Sequence, residues 1–145
     1  MKALIVYDSQ FGNTGKLAQE MAEAMTGEAV TSRASEARAS DFEGVDLLIV
    51  GSPTQAGRPT KPMQSFLKSV SGPIKLAAFD TRMSIKFAKI FGYAADRMAK
   101  TLQKQGGTLV APAEAFYVAD REGPLKDGEL ERAADWARKL QTTIG

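Results

Sequence analysis

Short apolar runs alternate with helical periods along the whole chain. The first run, residues 3–7, is too short for a typical helix and β-branched enough to form a buried strand. After a polar turn, a helical period places five apolar side chains on one face: Leu17, Ala18, Met21, Ala22 and Met25. This alternation is typical of a parallel sheet with helices on both faces.

The same pattern continues to the end of the chain. It predicts further strands at residues 28–33, 46–51, 74–79 and 108–118, the last interrupted near Pro112, which cannot donate to a ladder. A short helix is expected at residues 39–44. A longer helix is expected from Pro62, with the apolar stripe Met63, Phe66, Leu67 and Val70. A second is expected at 94–105, with Ala95, Met98, Ala99 and Leu102 on one face. A third is expected at 129–144, with Leu130, Ala133, Ala134, Ala137 and Leu140 inward. Five strands joined by right-handed crossovers predict one doubly wound α/β domain over residues 1–145.

The turn after the first strand has the residues of an anion site. The first N–H groups of a helix lack partners and the helix dipole favours negative charge there. Gly12 lets the backbone approach closely, and Ser9, Asn13 and Thr14 offer side-chain donors. A phosphate cradle is one interpretation; the other is an ordinary capped turn in which these side chains satisfy only the backbone. The turn contains neither G-x-x-x-x-G-K-[ST] nor G-x-G-x-x-G, which disfavours nucleoside triphosphates and dinucleotides.

Three unusual turns follow the first, third and fourth predicted strands. They comprise Asp8–Thr14, Ser52–Lys61 and the residues from Asp80 onward. In doubly wound sheets, ligands bind beyond the carboxyl ends of the strands, where the strand order reverses. The three turns are therefore expected to surround one site.

Composition narrows the chemistry. The 145 residues include no Cys and no His, which excludes a thiol nucleophile, thiolate metal ligands and the usual neutral-pH general base. Any reaction is then expected to use a bound cofactor. No apolar run approaches the length of a membrane span, and the N-terminus does not have the pattern of a secretory signal, so a cytoplasmic location without membrane association is expected.

Two loops and the C-terminal region resemble the flavodoxin family. Tyr7–Thr14 (YDSQFGNT) resembles its FMN phosphate loop, and Gly51–Pro59 (GSPTQAGRP) resembles its second flavin loop. Residues 116–118 and 122–132 are similar to small single-domain members. The resemblance covers the whole chain and implies a flavodoxin-like five-stranded parallel sheet. The strand order 2-1-3-4-5, with FMN at the switch point, is known for flavodoxin itself and is taken over from it.

The resemblance also assigns residues to the cofactor. It implies that the first loop binds the phosphate, mostly through neutral donors: Ser9, Gln10, Phe11, Gly12, Asn13 and Thr14. It implies that the second loop lines one side of the isoalloxazine ring: Pro53, Thr54, Gln55, Ala56 and Gly57. The residues after the fourth strand match the third flavin loop of the family in position only: Asp80, Thr81, Arg82 and Met83.

The second loop contains a family feature and a departure from the family. A glycine-containing peptide there reorients in flavodoxins to bond the flavin N5 proton after one-electron reduction, and Ala56-Gly57 is the matching peptide. Many flavodoxins stack an aromatic side chain on the ring, but Gln55 stands where one is expected. Met83 and, further on, Phe87 and Phe91 are the remaining candidates, although the two phenylalanines also suit a helix core.

The resemblance implies an FMN-binding electron-transfer protein that serves redox protein partners as a monomer. One alternative is a small FMN-dependent reductase or oxidase of a small molecule, and another is an interaction module that has lost FMN. A receiver domain is disfavoured because its phosphoacceptor position, after the third strand, holds Gly51-Ser52.

Charge is distributed unevenly along the chain. Residues 58–104 contain ten basic and two acidic residues, a net charge of +8, whereas the remainder has a net charge of −6. Basic residues near the loops are expected to make the flavin potential less negative than in acidic flavodoxins and to attract an acidic partner or a nucleotide phosphate: Arg58, Lys61, Arg82, Lys86 and Lys89. Basic residues beyond Lys89 are interpreted as solvated helix faces. No nucleic-acid partner is expected because stacking aromatics and recognised modules are missing.

Overall fold

Strands and helices alternate in residues 1–84 and 92–144, the ranges that a computed structural model describes. The strands are β1 (Lys2–Tyr7), β2 (Glu28–Arg33), β3 (Leu47–Pro53), β4 (Lys75–Met83), β5 (Thr108–Leu109) and β6 (Glu114–Val118). The helices are α1 (Asn13–Ala24), α2 (Lys61–Ser69), α3 (Ala94–Lys104) and α4 (Glu129–Ile144), with a short 3₁₀ helix at Ala39–Phe42. Within these ranges, no helix combines the length and apolarity needed to cross a membrane.

The strands form one parallel sheet in the order β2-β1-β3-β4-β5. The predicted fifth strand is present as two pieces on either side of Pro112, as expected for a residue without an N–H. Both pieces pair with β4, β5 along its first residues and β6 from Phe79 to Met83. The predicted doubly wound sheet with strand order 2-1-3-4-5 is confirmed, with β6 as an additional strand.

Alternate residues of the central strands face opposite layers of helix. Leu4, Val6 and Leu48 pack under α2 and α3, whereas Ala3, Ile5 and Leu47 pack under α1 and α4. The stripes predicted for α2 and α3 are buried. On the α1 and α4 side, the rings of Phe79, Phe116 and Trp136 meet edge to face at centroid distances of 5.8–6.0 Å. This aromatic cluster lies below the carboxyl ends of β4 and β6.

Two predicted details are wrong. The fourth strand does not end at Phe79 in a turn starting at Asp80; it continues to Met83 because β6 pairs alongside it and because Asp80 and Arg82, two residues apart, lie on one face and neutralise each other. Leu130 does not face inward but is 37% exposed. Glu129 is turned in instead, because its carboxylate accepts the Tyr117 N–H at 2.7 Å and so sets the rotation of α4.

Candidate functional site

A cavity of about 530 Å³ opens beyond the carboxyl ends of β1, β3 and β4. Most of its lining consists of residues predicted for the site: Ser9, Gln10, Phe11, Asn13, Thr14, Pro53, Thr54, Gln55, Ala56, Thr81, Arg82 and Met83. Gly12, Gly57 and Asp80, also predicted, are not part of this lining. The three segments expected to surround one site therefore do so.

The first loop, residues 8–15, is shaped by one hydroxyl and one glycine. Ser9 Oγ accepts the N–H groups of Gly12 at 3.1 Å and Gly15 at 3.2 Å. Gly12 has a φ of +91°, and a β-carbon added to it would meet no atom within 4 Å, so conformation rather than space calls for glycine there. Ser9 therefore fixes the turn that leads into α1.

The side chains of Asn13 and Thr14 tie this loop to the rest of the site. Asn13 Nδ2 donates to the Glu122 carbonyl at 3.1 Å, and Thr14 Oγ1 lies 3.0 Å from Thr81 Oγ1. Thr14 is only 1% exposed. Ser9 and Asn13 thus satisfy backbone groups, as the capped-turn interpretation expects, whereas Thr14 bonds another side chain.

The donors left for an anion are on the backbone. Within the described ranges, the N–H groups of Gln10, Phe11, Asn13 and Thr14 have no hydrogen-bond partner, and all four residues line the cavity. They stand at the N-terminal end of α1, where the helix dipole adds positive potential. The backbone of this turn therefore has the free donors that a phosphate would need.

A tight hairpin forms the second wall. Gln55 and Arg58 exchange two backbone hydrogen bonds, of 2.8 and 2.9 Å, around Ala56 and Gly57. The φ values of Ala56 (+48°) and Gly57 (+80°) are both positive, as in a type I′ turn. Gln55 Nε2 donates to Gln10 Oε1 at 2.6 Å and so joins this hairpin to the first loop.

Side chains from β4 and the start of α3 build the third wall. Asp80 is fully buried, and its carboxylate accepts Arg82 Nε at 2.8 Å, Arg82 Nη2 at 2.6 Å and the Ala95 N–H at 3.0 Å. The guanidinium carbon of Arg82 lies 3.3 Å from the centroid of the Tyr93 ring. Burial opposes the charge on Arg82, but the hydrogen bonds and attraction of Asp80 outweigh it and raise the pKa of Arg82. Asp80 thus supports the wall from behind, and Arg82 lines it as a cation.

Val118 and Arg121 also line the cavity, and the sequence analysis does not identify them. They lie at the end of β6 and just after it, so the rule that ligands bind beyond strand ends would have indicated them. Within the described ranges, Arg121 pairs with no carboxylate. Phe11, 42% exposed, is an aromatic residue at this cavity. The remaining residues predicted for the site or its basic rim, Phe87, Phe91, Lys86 and Lys89, lie outside the described residues.

The cavity fits FMN in size and in chemistry. Its volume lies within the range of about 300–1,000 Å³ that is usual for small-ligand sites. The unpartnered N–H groups of the first loop suit a phosphate, and residues of the hairpin and of the third wall line the same cavity.

Comparison with known proteins agrees with this geometry. Residues 4–112 match the family model described as a flavodoxin domain. No curated protein matches the sequence. The fold is similar to that of oxidised flavodoxin 1 from Bacillus cereus, with 21% identity, full coverage of both chains and a TM-score of 0.82. It is also similar to a flavodoxin from the domain Archaea, with 20% identity, 99% coverage of each chain and a TM-score of 0.81.

A third similar structure is the WrbA-like flavodoxin of Agrobacterium tumefaciens, with 20% identity, coverage of 98% of this chain and 96% of that one, and a TM-score of 0.75. At these identities the structures establish the fold, while the matching family model covers most of the sequence. The chain therefore belongs to the flavodoxin family of FMN-binding electron-transfer proteins, and its cofactor is FMN.

Proposed function

We propose that this flavodoxin carries electrons between redox protein partners and has no catalytic side chain of its own. The observation that supports this most is the row of unpartnered backbone N–H groups in the first loop, facing the same cavity as the hairpin and the third wall. Bound FMN supplies the redox chemistry. The residues of the chain bind the phosphate, position the ring and set the local charge.

The charge around the cavity favours electron uptake. Arg121 lines it without a carboxylate partner in the described ranges, whereas the charge of Arg82 is balanced by Asp80. Arg58 and Lys61, predicted to belong to a basic rim, do not line the cavity. We therefore assign the potential-raising effect to Arg121, because a nearby cation stabilises added negative charge by Coulomb attraction.

An FMN titration of the apoprotein tests the proposal. Near-stoichiometric binding is expected, and a protein that does not bind FMN at about tens of micromolar would instead be an interaction module. A redox titration then compares the wild type with Arg121→Gln. We expect a more negative potential for the second electron in this variant, and no change in Lys139→Gln, which removes a cation on α4.

NAD(P)H distinguishes the carrier from the reductase. The holoprotein alone is expected to leave NADH and NADPH unoxidised and to accept electrons from a reduced redox protein. Steady NAD(P)H oxidation with oxygen or a quinone as acceptor would identify the chain as a small flavin-dependent reductase and overturn the carrier assignment.

A further inference from the structure

We propose that a basic groove between α2 and α3 docks a carboxylate-rich surface of the redox partner, a proposal that rests on the carrier function above. The groove has a volume of about 400 Å³. Five cationic side chains line it: Arg58, Lys68, Arg97, Lys100 and Lys104. Among residues 1–84 and 92–144, no acidic residue belongs to its lining, and no residue lines both this basic groove and the FMN cavity.

The arrangement of these cations is unfavourable for the isolated chain. Arg97, Lys100 and Lys104 follow one another at intervals of three and four residues, which places them on one face of α3. Like charges at these spacings destabilise a helix. A solvated face does not require this concentration of one sign, whereas an anionic partner would offset the repulsion.

Four of the five groove cations differ from the arginines elsewhere in the described ranges that pair with a carboxylate. Arg33, Arg132 and Arg138 each pair with an Asp or Glu. In contrast, Arg58, Lys68, Lys100 and Lys104 make no salt bridge within residues 1–84 and 92–144. Their charge is therefore available to a carboxylate from outside the chain.

The groove is continuous with the structure around the flavin site. Arg58 closes the hairpin whose other end, Gln55, lines the FMN cavity. The Ala94 N–H at the start of α3 donates to Thr54 Oγ1 at 3.1 Å, which fastens α3 to the same loop. A partner seated in the groove therefore lies beside the second wall of the cavity.

The lining favours a protein over a nucleic acid. Between the cations, Pro59 and Leu67 give the groove an apolar floor, and none of its described lining residues is an aromatic on which bases could stack. Transient electron-transfer complexes bury small areas and depend on charge to speed their encounter. An apolar floor with a cationic rim matches such a surface.

Stopped-flow kinetics with a reduced acidic [2Fe–2S] ferredoxin as probe tests the groove. One electron leaves the reduced cluster and enters the FMN-loaded protein, and the reaction is followed by the recovery of the ferredoxin absorbance. The variant Lys100→Glu/Lys104→Glu is compared with Lys75→Glu/Lys139→Glu, which changes the net charge equally away from the groove. We expect the groove variant to lower the second-order rate constant about tenfold or more at low ionic strength and to flatten its salt dependence. The control is expected to change the rate constant less than about threefold.

Equal rate constants for the two variants would overturn the proposal. Circular dichroism and the FMN dissociation constant check that each variant is folded and loaded, and Lys100→Gln/Lys104→Gln replaces the groove variant if charge reversal unfolds it. If the chain fails to bind FMN, NMR titration of the ¹⁵N-labelled chain with oxidised ferredoxin still tests docking, because amide shifts at Lys68, Lys100 and Lys104 report it directly. Shifts there with duplex DNA but not with ferredoxin would assign the groove to nucleic acid instead.

Discussion

The two ends of the FMN cavity are built in different ways. The phosphate end consists of consecutive residues of the first loop, shaped by Ser9 and Gly12 and offering backbone N–H groups. The opposite wall is assembled from residues of separate elements, since Asp80 and Arg82 of β4 meet Tyr93 and the Ala95 N–H at the start of α3. One end is local and offers uncharged backbone donors, and the other contains a buried ion pair.

Because of this difference, we expect protein stability and FMN affinity to depend on different parts of the site. The first loop holds its ligand with its own backbone N–H groups, so a change there can alter ligand contacts with little effect on the core. A fully buried carboxylate with three donors has the opposite property, because its removal leaves a cation without a counterion. The third wall should therefore dominate stability, and the first loop should dominate phosphate binding.

Asp80→Ala should give the largest effect. It leaves the mostly buried Arg82 guanidinium without its partner and the Ala95 N–H without an acceptor. We expect a loss of about 3–5 kcal/mol in the free energy of unfolding of the apoprotein, measured by urea denaturation. The double variant Asp80→Ala/Arg82→Met should recover part of this loss, because it removes the uncompensated charge. A loss below about 1 kcal/mol for Asp80→Ala would show that the ion pair does not hold the wall.

The same difference explains what could be predicted from the sequence. The first loop can be recognised as an anion site from the sequence because its glycine and its hydroxyls lie directly between a strand pattern and a helix pattern, all within about fifteen residues. The third wall is predicted as a turn because the apolar run of residues 74–79 ends at the polar residue Asp80. Asp80 and Arg82 are two residues apart, so both lie on the same face of a strand. This spacing of opposite charges is the signal that could have indicated an ion pair inside β4. Tyr93 has no such signal, since only the folded chain brings its ring against Arg82, whereas Arg121 could have been indicated by its place just after β6.

The hydroxyl pair between Thr14 and Thr81 joins the two ends, and its loss should have the next largest effect. Thr14→Val leaves the buried Thr81 hydroxyl without its partner, which should cost about 1–3 kcal/mol of unfolding free energy. Thr14→Val/Thr81→Val should cost less than the sum of the single variants, because neither hydroxyl then remains unpaired. Urea denaturation of the four proteins gives the coupling energy, and additive losses would contradict a direct link between the two ends.

Gly12→Ala tests whether the first loop controls binding independently of stability. An alanine at the φ of +91° should cost about 1–2 kcal/mol, with no added clash. The matched control is Gly44→Ala, which has a φ of +70°, equally open surroundings and no part in the cavity. Both variants should lose similar stability, but only Gly12→Ala should weaken FMN binding in a fluorescence titration. Unchanged FMN affinity in Gly12→Ala would mean that the loop backbone does not hold the phosphate.

Ala56→Gly should have the smallest effect, and of the opposite sign. Ala56 is the one non-glycine residue with positive φ in the described ranges, and the left-handed region costs an alanine about 1–2 kcal/mol. Glycine removes that cost, but it also increases the conformational entropy of the unfolded chain, which lowers the unfolding free energy by about 0.5–1 kcal/mol. The expected net result is a stabilisation of about 0.5 kcal/mol. Ala22→Gly, in the interior of α1, should instead destabilise the protein by about 0.5–1 kcal/mol. If Ala56→Gly lowers the unfolding free energy as much as Ala22→Gly does, the hairpin is not strained at Ala56, and the second wall would then be as relaxed as the first loop.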